Sequence, residues 1–464
     1  MIAVIQNIWW LLVLIGVMIL IHELGHFWAA RAFNIKVDVF SFGFGPRLFG
    51  FRRGEVDYRF SAILFGGYVK MAGEQPGEGP SEDPRAFSNK PRWQRLIVAA
   101  AGPFMNILLA VGILTGLYMV SYERIVDAGG SIIGHVVADS PAAKAGVQPG
   151  DKIVKLNSKV DPDWEDIITT EISSAERPLA VVIERAGKQI PITVTPVLDE
   201  KEGMGSSGWE GQNEIQVGAV TSGMPAATAG LKKGDLLLKV NGVPIHSRYT
   251  LPELIRKSDG KPVTLEYLRE GGQPQIVSMK PVFSDPDGKP RWMIGVAPSV
   301  KFHIQKQQLG LVDAFRQSLV TNGRNASLIV QVMQGIVERR MSAKNLEGPV
   351  AIAKHASDAA QEGPSAFLSL MCVVSLNLAI FNLLPIPILD GGMILTLLIE
   401  MVMGRDLSLG MKENMLKVGF VFLMMLVVFV LYNDIAKRIM PGTIISKGHV
   451  GSPSQKRLQP KPQS

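Results

Sequence analysis

The sequence predicts a polytopic α-helical membrane protein of four transmembrane helices, with a membrane-associated β-hairpin region and two external α+β domains. Three observations carry this prediction. Hydrophobic residues make up 47% of the 464 residues and charged ones 19%, and the apolar excess gathers in four stretches, roughly 2–32, 96–120, 366–403 and 415–432. The long segment between the second and third stretches is mixed in composition and carries a sequence repeated at a fixed offset. Between the first two stretches, alternation at Tyr58–Ile63 and the pair Gly66-Gly67 read as hairpins.

The first span, 1–33, contains an uninterrupted apolar run from Ile8 to Ile21. It lacks a basic leader and a small-residue cleavage site, so it reads as a retained anchor. The region 34–95 follows, and then a second span, 96–120, with no charged residue, longer than the roughly 20 apolar residues a crossing needs. The third, 366–403, carries Pro385, Pro387 and Asp390. It should be a broken helix, which is tolerated only against protein or a water-filled cavity. The fourth, 415–433, is short between Lys417 and Asn433, with Lys417 free to extend its charge to the interface. Lys and Arg concentrate in 31–95, with eleven of them. That bias places 34–95 in the cytoplasm and 121–365 outside. The tail 441–464, with Lys447, Lys456, Arg457 and Lys461, then falls outside, against the same rule. Segment 310–345 reads as an amphipathic helix with Met333, Ile336 and Val337 on one face and no assigned chemistry.

The single cysteine, Cys372, rules out an internal disulfide. The net charge of +7 comes without any basic run interleaved with aromatics, so a nucleic-acid partner is not expected.

Ser140-Pro141-Ala142-Ala143-Lys144-Ala145-Gly146 returns as Met224-Pro225-Ala226-Ala227-Thr228-Ala229-Gly230, and Asp151 and Asn157 return as Asp235 and Asn241. The offset is 84 residues (225 − 141). A domain-sized period points to duplication. In each copy Pro-Ala-Ala opens a short helix, and a Gly-Asp turn feeds a strand at Lys152–Leu156 or Leu236–Val240. The pattern resembles the circularly permuted PDZ domain, over about 125–200 and 210–285. That resemblance implies two PDZ-like domains, each with a groove that takes a peptide C-terminus as an added strand. A steric filter works whether or not peptide binds.

His22-Glu23-Leu24-Gly25-His26 ends the first apolar run. Ionisable groups inside a membrane are expensive and mark function. Positions four apart share a helix face, so His22 and His26 can both reach one Zn²⁺, while Glu23 can take a proton from water. A catalytic zinc needs a third protein ligand. The candidate is Asp390, a carboxylate flanked by prolines in Asn382-Leu383-Leu384-Pro385-Ile386-Pro387-Ile388-Leu389-Asp390-Gly391-Gly392.

With both metal motifs in order, the paired repeats and four spans, the chain resembles the site-2 protease family of intramembrane zinc metalloproteases. The resemblance implies zinc held by His22, His26 and Asp390, with Glu23 as general base. It implies that Asn377 and Asn382 hydrogen-bond substrate backbone, and that part of 34–95 re-enters the membrane beside the metal. Its substrate would be a single-pass transmembrane protein already trimmed outside, such as an anti-sigma factor, reached from membrane lipid in a bacterial inner membrane. Gly66 and Gly67 have no side chain to block approach and Tyr68-Val69-Lys70 favours extended backbone, so Gly67, Tyr68, Val69 and Lys70 could hold an unwound substrate as an added strand. Two other classes compete. A scaffold with a vestigial metal motif would not need zinc, and a zinc transporter would not need Glu23.

Overall fold

In the computed structural model the chain is described over residues 2–74, 82–126, 130–199, 203–285, 290–301, 303–343 and 348–439. The basic tail lies outside the described residues. In chain order the helices are α1 (Ile2–Ala32), α2 (Arg92–Val120), α3 (Pro141–Lys144), α4 (Trp164–Ser173), α5 (Pro225–Thr228), α6 (Thr250–Lys257), α7 (Leu311–Val337), α8 (Pro349–Glu362), α9 (Pro364–Asn382), α10 (Asp390–Met403) and α11 (Leu409–Ile439). Four of them, α1, α2, α9 and α11, are long and apolar enough to cross a membrane. The residues group into two compact units. One comprises 1–102, 344–367 and 382–464, the other 103–343 and 368–381.

In the first unit α1 runs to Ala32 and stops at Asn34, whose positive φ of 52° ends the helix in the left-handed region. Arg31 in the last turn complements the helix dipole. The strands Val37–Arg53 and Val56–Met71 then pair antiparallel. Val39–Phe42 pairs on both sides, with Asp57–Phe60 and with Gly67–Lys70. The region is therefore a doubled-back sheet in which Gly67–Met71 is an outer leg. Gly43 makes this folding possible: φ is 95°, and a Cβ there would lie 2.9 Å from the carbonyl oxygens of Ser61 and Ile63. Ala30, Ile35, Val37, Phe40, Val69 and Val98 form the core that fixes the sheet to α1 and the start of α2.

α8 lies against α1 and α11. Its first N–H groups have no side-chain cap of their own. Asp434 of α11 supplies one, accepting from Val350 N–H at 2.9 Å and Ala351 N–H at 3.0 Å.

The third apolar stretch is two helices. α9 ends at Asn382, because Pro385 and Pro387 supply no N–H and force extended backbone before them. The chain resumes as α10 at Asp390. Gly391 and Gly392 allow the break to fold back on the first turn of α10, since a Cβ on either would come within 2.4 Å of backbone in Leu383–Ile386. The fourth helix begins earlier than the apolar pattern, at Leu409, with Ser408 accepting from the N–H groups of Met411 and Lys412.

In the second unit α7 spans Leu311–Val337, shorter than the amphipathic segment expected over 310–345, and ends where Arg339 turns at φ 60°. Ser318 donates to Val111 O at 2.9 Å, Ser375 to Asn106 O at 2.9 Å and Cys372 to Ala110 O at 3.2 Å. Such hydroxyl and thiol bonds between helices replace a hydrophobic driving force that lipid does not provide. Tyr122–Val126 pairs with His303–Gln307.

The two repeats carry the same ion pair, a buried aspartate held by a half-buried arginine. Arg185 makes two hydrogen bonds of 2.7 Å to Asp151 and one to Gly146 O. Arg269 does the same to Asp235 at 2.8 and 2.7 Å and to Gly230 O. Each repeat reaches further than the bounds read from the sequence. Trp209–Gly211 pairs with Ile133–Val136 of the first, and Val296–Val300 pairs with Ile215–Val220 of the second. These closing strands are short and pair with segments about 73 to 85 residues earlier (209 − 136 to 300 − 215), which no local pattern announces.

Candidate metal centre

The site lies wholly in the first unit. His22 and His26 are on one face of α1 and are 7% and 9% exposed. Asp390 comes to them from the first turn of α10. His22 Nε2 is 3.1 Å from Asp390 Oδ2, His26 Nε2 is 3.5 Å from Asp390 Oδ1, and the two Nε2 atoms are 3.2 Å apart. Zn–N bonds of about 2.0–2.1 Å in tetrahedral array place ligand atoms about 3.3 Å apart, so this donor set fits zinc. His26 Nδ1 donates to Val98 O at 2.8 Å, which fixes the tautomer and leaves Nε2 as the ligand atom. Gly102 of α2 lets this helix close over the imidazoles, since a Cβ there would lie 2.2 Å from His26 Nε2. Among the described residues, no other group of His, Cys, Asp and Glu converges in this way.

Glu23 is outside the ligand triad and points into the same cavity, of about 360 Å³. The N–H of Val69 is directed at its carboxylate. Gly67 runs close beside it, where a Cβ would lie 3.2 Å from Glu23 Cγ and 3.0 Å from Ile19. The outer leg of the sheet thus passes directly along the HExxH turn. Tyr68 and Val69 line the cavity, and Lys70 lines a larger adjoining one of about 960 Å³. Asn382 Nδ2 is 3.5 Å from His22 Nε2. Asn377 falls in the second unit, with Oδ1 buried and without a hydrogen-bond partner.

Two residues were not singled out by sequence reasoning. Glu74 lines both cavities and accepts from Met71 N–H at 3.2 Å. Burial pushes its carboxyl up to about 7. It stands in a glycine-bearing loop with no periodicity to flag it. Glu400, a second acid of the third stretch, is not a ligand. It is fully buried, accepting from Lys412 Nζ at 2.7 Å and Leu407 N–H at 3.0 Å.

Residues 10–426 match the family model described as peptidase family M50. A Xylella fastidiosa protein described as a zinc metalloprotease is 31% identical over 92% of this chain and 98% of its own. The regulator of sigma-E protease RseP of Salmonella typhimurium is 28% identical over 94% of this chain and 100% of its own, and that of Escherichia coli 29% over 92% and 97%. Among solved structures, the PDZ domain of an SdrC-like protein from Listeria monocytogenes is 25% identical, covering 18% of this chain and 87% of that one, with a TM-score of 0.16. The match across nearly the whole sequence leads to one conclusion: the chain belongs to peptidase family M50, the site-2 proteases, and is a zinc metalloendopeptidase.

Proposed function

We propose that this enzyme cuts single-pass transmembrane proteins within the bacterial inner membrane. Its substrate would be an anti-sigma factor already trimmed outside, whose release activates an extracytoplasmic stress response. The observation that carries the reading is the position of His22, Glu23 and His26 inside an apolar helix, with Asp390 brought to them from α10 and a sheet edge running beside them. The names of the sigma-E regulating relatives support the choice of pathway. The PDZ-like pair would lie in the periplasm and the metal centre towards the cytoplasm.

A transmembrane helix hides its peptide bonds in its own hydrogen bonds, so it must unwind locally before it is cut. The freed N–H and C=O groups then need partners where water is scarce. The outer leg Gly67–Lys70 supplies them by strand addition, and the amide of Asn382 supplies a further donor. The Val69 N–H faces the Glu23 carboxylate and would be donated to a substrate carbonyl, while Glu23 accepts the proton of the attacking water and returns it to the leaving amine. When bound by His22, His26 and Asp390, zinc supplies Lewis-acid activation of the scissile carbonyl and of that water. The test is purified enzyme with a tagged model transmembrane substrate, with and without chelator. Zinc-dependent cleavage inside the membrane-spanning segment supports the reading. Cleavage only outside that segment, or none in the presence of zinc, rejects it.

A further inference from the structure

The two repeats differ at the edge where a PDZ domain receives its ligand. Such a domain takes a peptide end as a strand added to an exposed sheet edge. In the first repeat, Trp209–Gly211 pairs with Ile133–Val136 on one side and, among the described residues, with no strand on the other. A ligand strand there would need about 4.8 Å of lateral spacing from its neighbour. α4 leaves none. At one end a Cβ on Gly205 would lie 2.4 Å from Glu171 O. At the other, a Cβ on Gly211 would lie 2.7 Å from the Trp164 indole. Between them the Glu171 carboxylate accepts from Ser207 N–H with one oxygen and from the Trp209 indole N–H, at 3.0 Å, with the other. Ser207 N–H is the type of group that would otherwise receive a ligand.

α4 is also held from behind by α7 and the turn after it. Arg324 pairs with Glu165 and, at 3.2 Å, with Asp166, while Arg340 donates to Ala175 O at 3.1 Å. Moving α4 aside to admit a strand would break these contacts as well. The second repeat has no such carboxylate. Ala226 N–H donates to Ile294 O as Ala142 N–H does to Ser207 O, so Ile294 is the counterpart of Ser207. Glu171 has Ile255 as its counterpart 84 residues on (171 + 84), and both isoleucines sit in the apolar core.

We propose that the first repeat is self-liganded: the Glu171 carboxylate stands where the carboxylate of a peptide end would bind, and α4 fills the space of the ligand strand. The repeat is a fixed wall of the external segment, and peptide capture falls to the second repeat alone. This inference is independent of the catalytic reading.

The test is amide hydrogen exchange on the full-length protein in detergent micelles at pH 8, above the value of about 7 to which burial pushes Glu171. The probe is a degenerate decapeptide pool with a free C-terminal carboxylate, its amidated form serving as control. In the wild type, 164–173 and 205–211 should exchange slowly and remain unchanged by the pool. In Glu171→Ala the same segments should exchange at least tenfold faster and be slowed again by the free-acid pool but not by the amidated one. Glu171→Gln, which keeps one acceptor, should fall between and covers the case in which the alanine variant does not fold. Protection of the wild-type segments by the pool would overturn the proposal. So would unchanged exchange in both variants.

Discussion

Asp390 reaches the two histidines from the far end of the chain, and its substitution separates ligand from bystander. Asp390→Asn should lower zinc affinity by more than about 100-fold, beyond what loss of an outer partner costs, with the helices still inserted. Zinc content after purification measures it. Glu23→Gln should keep the metal and lower kcat by about 10²–10⁴-fold, read in a single-turnover assay on the model substrate. Loss of zinc there would make Glu23 structural instead. Both motifs were legible because their chemistry is dense in sequence: charge is confined to a few positions in apolar helices. The direction of a strand amide is not so encoded: only the fold directs the Val69 N–H at Glu23. Successive strand amides point opposite ways, so Lys70 N–H belongs to the ladder with Val39. Val69→Pro should therefore lower kcat/KM by about tenfold or more with zinc content and melting temperature nearly unchanged. Lys70→Pro should act mainly on stability, and Val69→Ala should be mild. Equal loss of activity per degree of melting temperature in the two proline variants would remove the strand edge from substrate binding.

Among the elements, the break between α9 and α10 could be placed from Pro385 and Pro387 alone, because proline acts locally. The strands that close each repeat could not, since Gly205–Gly211 is rich in glycine and serine and its partner is distant. The repeats also share a local device whose stability depends on pH. The Arg269 hydrogen bonds hold the Asp235 carboxyl below its ordinary range against the effect of its burial. At Asp151 burial is the largest single influence and raises the value, but the Arg185 hydrogen bonds, the Gln148 N–H and the Arg185 charge together outweigh it. A depressed carboxyl contributes stability that is present above its unfolded pKa, near 3.8, and is lost as pH falls through the folded value. Both repeats should therefore unfold at lower temperature once the pH drops below about 4. Asp235→Asn should destabilise the second repeat by about 2 kcal/mol, the scale of hydrogen bonds to a charged group, and flatten its acid limb. Thermal melts followed by tryptophan fluorescence between pH 3 and 7 measure both. A variant as stable as wild type at pH 7 would show that the pair is ornamental.

At the scale of the molecule, the repeat-bearing segment is inserted into a small ladder, and that fixes how the proposal that it acts as a filter can be tested. Val126 pairs opposite His303, and Tyr122 opposite Gln307. Residues 127–302 can therefore be replaced by a two-residue Asn-Gly turn, which closes an antiparallel pair with the correct twist. The expected bounds 125–200 and 210–285 would have cut into Trp209–Gly211 and Val296–Val300 or left them without partners. The replacement also strips Arg324 of its ion-pair partners on α4, so that position is changed to Gln to avoid stranded charge, while Arg340 keeps its pair with Glu338. The ligand triad, Glu23 and the edge Gly67–Lys70 lie in the other unit, and zinc content should be unaffected. If the repeats act as a size filter, the shortened enzyme should cleave a substrate whose external domain is intact at a rate within about threefold of the trimmed one. The full-length enzyme should prefer the trimmed substrate by at least tenfold in the same membranes. A self-liganded first repeat adds a distinction. Discrimination by size should survive Glu171→Gln, because a wall needs shape and not a vacant groove. Retention of full size discrimination by the shortened enzyme would place the filter elsewhere, with α7 the next element to test.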